Sequence, residues 1–556
     1  MIILGLAGGL GHDASAALVI DGRLHALAEE ERFNRLRHAP NCLPLESTAH
    51  CLASAGITMA DVDVIATSWL EADRDNAHRD MYRTMVDHPC FAGGRRPQWE
   101  KVKHPLAHAA ASFHTSGFDE ATVVSVDGVG DGVSTLIGHA RGGSMRVLRE
   151  YDIADSLGMF YLGVTNYLGF RFGQEGKVMG LASYAKPDED WMPFTLDDEG
   201  IRSGLALQDP ERPDFGPPLV QAWKARVAER FGPPRRPGYS YSRSTARSNV
   251  DLEPDAWRKS VAASGQHVLE RVLSHIVEGA VRETGCRNVV IGGGVGYNCT
   301  ANGSIRESKL VDRLFVFPAS GDAGTSAGAA LAVAASAGEH RGEPLATAAL
   351  GAEFEDADIA DVLRANAVPF TAEDDIAGAV AALLVDGKTV GWFQGRAEAG
   401  PRALGQRSIL ASPLTRSMHE RVNTIKNREQ WRPLAPSLTR AAADAYLVNP
   451  GAGTGPERFM LAACAVRESE RAQIPAVVHV DGSCRPQIVD DGSSPTYHRL
   501  LQSVGTLGHP EIVLNTSFNL ANEPVVNSPL DALRSFYGSG LDALAIGSML
   551  VRKPAG

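Results

Sequence analysis

Short apolar runs, separated by turns rich in glycine, open the chain. Residues 1–9 (MIILGLAGG), 15–21 (SAALVID) and 22–30 (GRLHALAEE) are each long enough for one strand. Runs of this length, broken by Gly and an Asp-Gly pair, favour an antiparallel meander over a helix. A related pattern recurs in residues 121–152. We therefore predict an internally duplicated α/β architecture, for which two ordinary hairpins are the plainer alternative.

Farther along the chain the apolar positions take on the period of a helix. Valines spaced for one helix face run through residues 254–283. Two units of strand, glycine-rich loop and helix follow, at residues 287–305 and 312–336, with Asp322 in the second loop. Ligands in α/β folds gather at the carboxyl ends of strands, so this loop is a candidate for chemistry.

A stretch rich in Gly, Ala and Glu, residues 337–356, has no strong pattern and is interpreted as a linker. Beyond it the sequence predicts a helix near residues 375–385 and a strand in residues 388–395 (KTVGWFQG). A single core rarely serves more than about 250–300 residues, and the chain has 556. We expect two domains, residues 1–350 and residues 365–556.

Composition limits the class of protein. The chain is 44% hydrophobic and 22% charged, and its 54 Lys and Arg against 66 Asp and Glu give a net charge of −12. A net negative charge disfavours nucleic-acid binding, because such binding depends on neutralising the phosphates. No CxxC pair, signal-peptide pattern or membrane-spanning run is visible. We expect a cytoplasmic protein without nucleic-acid or membrane partners.

His104 and His108 are four residues apart in HPLAHAAASFH. On a helix this spacing puts both imidazoles on one face, one turn apart, where they can share a metal. The Glu that zinc proteases place beside the first histidine is missing, so peptide hydrolysis is disfavoured. Asp127, which we expect to end the strand VVSVD, and Asp322 add two carboxylates. Such a set suits Fe(II), Mn or Zn more than Ca, with two surface histidines as the alternative.

Seven cations are concentrated in a second domain that is otherwise not basic: Arg396, Arg402, Arg407, Lys426, Arg428, Arg432 and Arg485. Guanidinium groups bind phosphate bidentately, and lysine adds a point charge. We predict an anion site for the triphosphate of ATP and a second phosphorylated substrate. Structural pairs of arginine with carboxylate are the alternative.

Two glycine-rich loops, residues 126–132 and 292–298, are typical of nucleotide contacts because glycine allows close backbone approach. Neither a dinucleotide fingerprint nor a GxxxxGK[ST] phosphate loop accompanies them. These loops alone are weak evidence for a nucleotide site.

Ordered motifs along the whole chain resemble those of the NodU/TobZ-type O-carbamoyltransferase family. They include GHDASAALV, EEERFNRLRH, HPLAH, SVDGVGD, GKVMGLASY, GGGVGYNCTANG, SGDAGTSAGAAL, GPRALGQRSILA, NTIKNREQWRPLAPS, HVDGSCRPQ and NTSFN. The resemblance implies a duplicated, actin-like (ASKHA) N-terminal domain, similar to the tRNA threonylcarbamoyl-transfer enzymes, and a YrdC-like C-terminal domain. It implies that the latter makes carbamoyl-adenylate from carbamoyl phosphate and ATP. The carbamoyl group would then pass to a hydroxyl of a small-molecule natural product at an N-terminal metal site.

Carried over by position, the resemblance assigns roles to individual residues. The ligands of Fe(II), Mn or Zn would be His104, His108, Asp127 and Asp322, while Mg would accompany ATP. Catalytic roles would fall to His12, Lys426, Arg432 and Ser517. Phosphate or nucleotide contacts are expected from Gly128, Gly130, Lys177, Gly293, Gly294, Asn298, Arg402, Arg407 and Arg485.

His12 would act as the base near the acceptor hydroxyl, and the alternative is a structural loop histidine bonded to Asp13. Two residues depart from the family pattern, Ala185 and Tyr297, and both bear on the N-terminal site. The acceptor is not readable. Residues 200–251, rich in Pro and Arg, are expected near its entrance, and a homodimer stays open.

Three rival functions are weaker. A tRNA-modifying threonylcarbamoyl transferase is disfavoured by the net charge of −12. A regulatory actin-like ATPase would need neither the HxxxH-plus-Asp set nor the arginine and lysine cluster. A metalloprotease lacks its Glu base.

Overall fold

The protein is described by a computed structural model that covers residues 1–8, 11–69, 72–91, 94–205, 216–234 and 255–553. Two five-stranded sheets lie in its first part. One contains β1 (Ile2–Ala7), β2 (Ser15–Ile20), β3 (Arg23–Glu29), β4 (Val64–Ser68) and β5 (Gln98–Val102). The other contains β6 (Glu120–Gly130), β7 (Val133–Arg141), β8 (Ser144–Asp152) and, after a separate pair β9 (Thr195–Asp197) and β10 (Gly200–Arg202), β11 (Asn288–Gly292) and β12 (Arg313–Val316).

Both sheets have the same topology, β3-β2-β1-β4-β5 and β8-β7-β6-β11-β12. In each, three antiparallel strands are followed by two parallel ones. One hairpin in each sheet turns at an Asp-Gly pair: Asp21-Gly22 between β2 and β3, and Asp131-Gly132 between β6 and β7, with all four residues at positive φ. Two-residue hairpin turns of this kind require that conformation. The predicted duplication and the α/β class are therefore confirmed.

Helices cover these sheets, and α4 lies between them. The helices are α1 (Glu30–Asn34), α2 (Leu45–Ser54), α3 (Ala72–Asp87), α4 (His104–His114), α5 (Leu157–Tyr167), α6 (Glu175–Ala182), α7 (Gly216–Phe231), α8 (Ala256–Thr284), α9 (Cys299–Glu307) and α10 (Thr325–Ser336). Ala107 of α4 packs with the first sheet and α10, while Ala109 and Phe113 pack with the second. Small residues allow this close approach: a Cβ on Gly328 would lie 1.8 Å from the Ala107 carbonyl oxygen.

The rest of the chain builds a third sheet. Its strands and those of a small separate pair are β13 (Thr371–Ala372), β14 (Val390–Phe393), β15 (Arg407–Ala411), β16 (Ala435–Thr439), β17 (Cys464–Ala465), β18 (Ser483–Cys484), β19 (Gln487–Val489), β20 (Ile512–Ser517), β21 (Ala543–Ile546) and β22 (Met549–Arg552). The large sheet has the order β13-β22-β21-β14-β15-β20-β16-β19, and β17 pairs with β18. Its helices are α11 (Asp356–Ala365), α12 (Ile376–Val385), α13 (Arg416–Ile425), α14 (Arg440–Tyr446), α15 (Pro495–Thr506) and α16 (Pro529–Tyr537).

We call residues 1–336 the N-terminal lobe and residues 356–553 the C-terminal lobe. One hydrophobic cluster runs through both, since Trp431 and Leu461 belong to the same core as Phe160. The predicted linker contacts both lobes, because the Leu350 carbonyl accepts hydrogen bonds from the Leu27 N–H (3.2 Å) and from Arg396 (2.6 Å). The domain limits themselves stay predictions.

Among the described helices, none combines the length and the apolar character needed to cross a membrane. Of the segment expected near the acceptor entrance, residues 206–215 and 235–251 lie outside the described residues.

Candidate metal centre and anion site

The two histidines of α4 meet at its buried first turn. His104 is 1% and His108 2% exposed, and their Nε2 atoms lie 3.0 Å apart. The His104 ring packs on Trp69 at 4.0 Å between centroids, and its backbone N–H donates to Asp131 (2.7 Å). A Cβ on Gly130 would lie 2.0 Å from the His104 ring, so only glycine leaves room for this imidazole.

Two carboxylates face these histidines. An oxygen of Asp127 lies 3.4 Å from Nε2 of His104 and 3.5 Å from Nε2 of His108. An oxygen of Asp322 lies 3.7 and 3.6 Å from the same nitrogens. The expectation that Asp127 ends its strand was wrong: β6 continues to Gly130 after an irregularity in register, and this break turns Asp127 toward α4.

These four residues form a group that could hold one metal ion. Ligands about 2.0–2.1 Å from an ion in tetrahedral geometry lie about 3.4 Å from each other, close to the spacing found here. Burial lowers the pKa of His108, but Asp127 and Asp322 outweigh it and raise that pKa to about 9. Negative charge therefore converges where a dication would lie. Two imidazoles and two carboxylates do not by themselves select among Fe(II), Mn and Zn.

His12 lies beside this group. Its Nδ1 is 2.8 Å from Asp13 and 3.9 Å from Asp322, and Asp13 also bonds Nδ1 of His38 at 2.8 Å. The ring of Phe172 packs against His12 with centroids 4.7 Å apart. The bond to Asp13 occupies Nδ1 and leaves Nε2 of His12 as the ring nitrogen available for other partners. Sequence reasoning did not single out His38, although the motif that contains it was recognised.

Most of the glycine-loop residues serve the walls of the metal group. The Gly294 N–H donates to the second oxygen of Asp127 (2.8 Å). A Cβ on Gly293 would lie 2.2 Å from the Val126 carbonyl oxygen, and the Gly128 carbonyl accepts from Ser156 (2.5 Å). The Gly294 N–H thus already has an acceptor within the protein, and the phosphate contacts expected of these glycines stay predictions.

Asn298 caps a helix with its side chain. Its side-chain oxygen accepts from the Ala301 N–H (3.0 Å) and from Gln266 (2.9 Å), and its amide nitrogen donates back to Gln266 (2.9 Å). A buried polar side chain is usually satisfied in this way. The nucleotide contact expected of Asn298 stays a prediction.

A second site lies across the boundary between the lobes, around Lys426. The Lys426 side chain is buried, and its Nζ donates to Ser517 Oγ (3.2 Å), to the Asn519 carbonyl and to Asn519 Oδ1 (both 2.9 Å). The structure thus brings Ser517 to Lys426, as the predicted site requires. Four arginines belong to the same cluster as this lysine, since the charge of each lowers the pKa of another member or its own pKa is lowered by one: Arg402, Arg428, Arg432 and Arg485.

The positive charge of this cation cluster is not neutralised. Burial, and then the neighbouring cations, push the pKa values of Lys426 and Arg428 well below their ordinary values. Within the described residues, one carboxylate lies within 4 Å of the cluster: Glu429, 3.9 Å from Arg432. Glu429 is already bonded to Lys177 at 2.7 Å. Unpaired buried charge is costly, so such a cluster calls for an anionic ligand.

Three nitrogens of the cluster reinforce this conclusion. Nε of Arg402, Nη2 of Arg428 and Nε of Arg485 are buried and have no hydrogen-bond partner in the described part of the chain. Donors of this kind are unfavourable without an acceptor. Oxygens of a phosphate group are acceptors that match them.

Two of the predicted arginines do not join the cluster. Arg407 is fully buried, donates to the carbonyls of Gln394 (2.7 Å) and Ala352 (2.9 Å), and lies over the Phe393 ring at 3.6 Å. Arg396 donates to carbonyl oxygens at the linker. Backbone carbonyls take up both guanidinium groups, and the phosphate contact expected of Arg407 stays a prediction.

Tyr297 lies between the two sites. On one side its ring packs on Gly321, the residue before Asp322, where an added Cβ would lie 3.0 Å from the ring. On the other side its carbonyl accepts from Arg402 (3.3 Å). This departure from the family pattern therefore touches both sites. The other one, Ala185, lies just beyond α6, where its N–H bonds the Ala182 carbonyl (3.4 Å).

The sequence matches two family models. The family described as Carbamoyltransferase N-terminus matches residues 92–198 and 222–331, and Carbamoyltransferase C-terminus matches residues 381–553. Nodulation protein NolNO of Sinorhizobium fredii is 34% identical over 593 residues, covering 100% of this chain and 83% of the relative. Nodulation protein NolO of Bradyrhizobium diazoefficiens is 35% identical, covering 81% of this chain and 79% of the relative.

Similarity to solved structures is low. The crystal structure of T. kodakarensis HypF has a TM-score of 0.35 and 15% sequence identity, with 61% of this chain and 48% of that chain covered.

Proposed function

Because the chain belongs to the carbamoyltransferase family, we propose that it carbamoylates a hydroxyl of a small molecule in two steps, the first of which consumes ATP. The observation that carries this proposal is the meeting of two unlike sites at Tyr297. One is a group of metal-ligand type beside His12, and the other is a cation cluster that lacks counter-charge. Activation and transfer of an acyl group need these two environments.

The first step would take place at the cation cluster. Carbamoyl phosphate, ATP and water give carbamoyl-adenylate, phosphate and pyrophosphate, so that water replaces the phosphate of the donor before a carbamoyl oxygen attacks the α-phosphorus. Lys426 and the arginines neutralise the charge that builds up on the phosphates. Magnesium enters with ATP as part of the substrate. Arg432 and Ser517 flank Lys426 and orient the reacting groups.

The second step would take place at the metal group. When bound, a divalent ion held by His104, His108, Asp127 and Asp322 supplies Lewis acidity toward a carbonyl or phosphoryl oxygen. His12 takes the proton of the acceptor hydroxyl through Nε2, while Asp13 holds its Nδ1. The hydroxyl oxygen then bonds to the carbamoyl carbon, AMP leaves, and an O-carbamate remains.

An assay that separates the two steps tests this function. The purified chain is incubated with carbamoyl phosphate and ATP, and pyrophosphate is measured with and without candidate alcohols. Mass spectrometry of each acceptor then seeks the gain of one carbamoyl group. We expect pyrophosphate release that depends on both substrates. Absence of pyrophosphate with every acceptor would contradict the first step, and a mass gain on threonine alone would point to the rival threonylcarbamoyl chemistry.

A further inference from the structure

A loop that follows α1, residues 35–41, is held in an unusual backbone conformation. Four of its residues are not glycine yet have positive φ: Arg35 (59°), His38 (64°), Ala39 (36°) and Asn41 (53°). This conformation is uncommon for residues with a Cβ and persists only where the surroundings enforce it. The bonds that enforce it here come from both lobes.

On one side the loop is fastened beside the metal group. The His38 carbonyl accepts from the Asp13 N–H (2.6 Å), and the Asn41 N–H donates to the Gly11 carbonyl (2.8 Å). Nδ1 of His38 also bonds the Asp13 carboxylate (2.8 Å), which holds His12 through its other oxygen. The position of this loop therefore bears directly on the position of His12.

On the other side the loop is fastened beside the Lys426 site. Arg35 donates to the carbonyls of residues 524–525 at 2.8 and 2.7 Å. The preceding carbonyl, that of Glu523, accepts from Asn519 (2.7 Å), and Asn519 in turn accepts from Lys426 (2.9 Å). A short chain of hydrogen bonds thus connects the loop with the side chains around Lys426.

Arg37 lies between these two anchors. It is exposed, and in the described part of the chain its guanidinium has neither a hydrogen bond nor an ion pair. Because its neighbours Arg35 and His38 are bonded beside the Lys426 site and beside the metal group, Arg37 lies between the two, and its charge acts to lower the pKa values of Lys426, Arg432 and Lys177. It also acts on the carboxyl of Glu175 without forming an ion pair. One more unpaired cation thus comes to the anion site from the other lobe.

We propose that Arg37 is a further phosphate-binding residue of the anion site, which is therefore complete only when the loop of residues 35–41 is in place. This inference rests on the proposed function, and it adds that the N-terminal lobe supplies one cation of the anion site. The ligand is a phosphate or polyphosphate group, of ATP or of the phosphorylated donor. Binding of that group adds one more contact to a loop that already bonds both lobes, and the same loop contacts Asp13, which bonds His12.

Inorganic pyrophosphate is the probe for this site, and calorimetry of the full chain measures its affinity. Arg37→Gln should weaken binding about tenfold or more, since a charge-assisted hydrogen bond is lost. Arg37→Lys should recover part of the loss, because it restores the charge but not the planar guanidinium that binds phosphate through two donors. Leu36→Gln is the matched control: Leu36 is 54% exposed in the same loop and carries no charge, so its variant should bind like wild type.

The failures of this inference and of the proposed function are distinguishable. If wild type binds pyrophosphate and Arg37→Gln binds it equally well, Arg37 has no part in the site, while the proposed function stands. If wild type neither binds pyrophosphate nor releases it from ATP, both are overturned. Urea unfolding of each variant checks that the loop substitutions leave the fold intact; equal weakening in Leu36→Gln would mean that loop disruption, not the guanidinium, is responsible, and would overturn the assignment.

Discussion

The metal group and the cation cluster are built on opposite electrostatic principles. In the metal group, two imidazoles and two carboxylates face each other at 3.4–3.7 Å, and protonated histidine can balance the acids when no ion is bound. In the cation cluster, Lys426 and four arginines share one carboxylate, which Lys177 already occupies. The first group is balanced within itself, whereas the second is balanced only by a ligand.

This difference bears on stability as well as on chemistry. A self-balanced group can keep its geometry between turnovers. A cluster of like charges weakens the folded state until an anion arrives, and ligand binding then returns that free energy as stabilisation. We therefore expect substitutions in the two sites to differ in which half-reaction they stop and in the sign of their effect on stability.

The largest expected effect is a separation of the two half-reactions. Lys426→Met should lower pyrophosphate release by about 10²–10³-fold, because the charge on the phosphates loses its central cation. His12→Asn should leave pyrophosphate release unchanged and lower transfer by about 10²–10⁴-fold. Pyrophosphate assay and product mass spectrometry, with carbamoyl-adenylate supplied to the lysine variant, measure both. If either substitution stopped both steps, the assignment of activation to the cation cluster and of transfer to the metal group would be wrong.

Removal of one carboxylate tests whether the metal group binds an ion. Asp322→Asn should weaken binding of a divalent ion by about 10–100-fold or more, and transfer should fall with it. Pyrophosphate release should persist. The control is Glu120→Gln, because Glu120 also bonds a histidine, His139 at 2.8 Å, but lies outside the metal group. Metal content by mass spectrometry that is equal in wild type and Asp322→Asn would exclude Asp322 as a ligand.

A smaller effect is expected from the glycine that makes room for His104. In Gly130→Ala the new Cβ would meet the imidazole at 2.0 Å, so the ring must move. We expect a loss of about 1–3 kcal/mol in the free energy of unfolding, together with weaker metal binding. Gly132→Ala is the matched control: its Cβ meets nothing within 4 Å, so only backbone strain at a φ of 74° is added. Normal metal binding by Gly130→Ala would contradict this reading of the packing.

The smallest expected effect is a gain, not a loss, in the free energy of unfolding. Burial and the charge of Arg485 lower the pKa of Arg402 from 12.5 to about 9. Between pH 9 and 12.5 the unfolded chain binds the proton more strongly, so stability rises with pH there, and below pH 9 the full penalty is present. Arg402→Gln should therefore stabilise the ligand-free protein at pH 7.5 by about 1 kcal/mol.

Urea unfolding at two pH values measures this difference. The difference in the free energy of unfolding between Arg402→Gln and wild type should be smaller at pH 10, since Arg402 of folded wild type has lost its proton in part at that pH. Pyrophosphate should reduce this stability difference as well, because it binds the wild-type site more tightly and therefore stabilises wild type more than the variant. A variant less stable than wild type under all these conditions would mean that Arg402 is structural.

Local sequence signals predicted a large part of this molecule. The Asp-Gly pairs at residues 21–22 and 131–132 marked two hairpin turns, one in each of the two duplicated sheets. The i, i+4 spacing of His104 and His108 placed both imidazoles together. Turn chemistry and helical period act over a few residues, and for that reason they can be read from a single sequence.

Other features escaped prediction because their partners are far apart in the chain. Arg407 was expected at a phosphate, but its neighbours in sequence do not reveal that the Ala352 carbonyl and the Phe393 ring receive its guanidinium. The bond between Lys177 and Glu429 joins residues 252 positions apart. Arg37 carried no signal beyond its motif, since nothing local shows that its loop is fastened to both lobes.

The sequence by itself determined the elements, their duplication and the chemical types at the metal group, because turn geometry, helical period and side-chain chemistry are local properties. Only the tertiary structure decided which cations remain without counter-charge. Of the seven predicted, Arg396 and Arg407 are taken up by backbone carbonyls, while Lys426 and the four arginines around it are left facing one another. Electrostatic balance is a sum over everything nearby, and the neighbours that enter this sum are set by packing between distant segments.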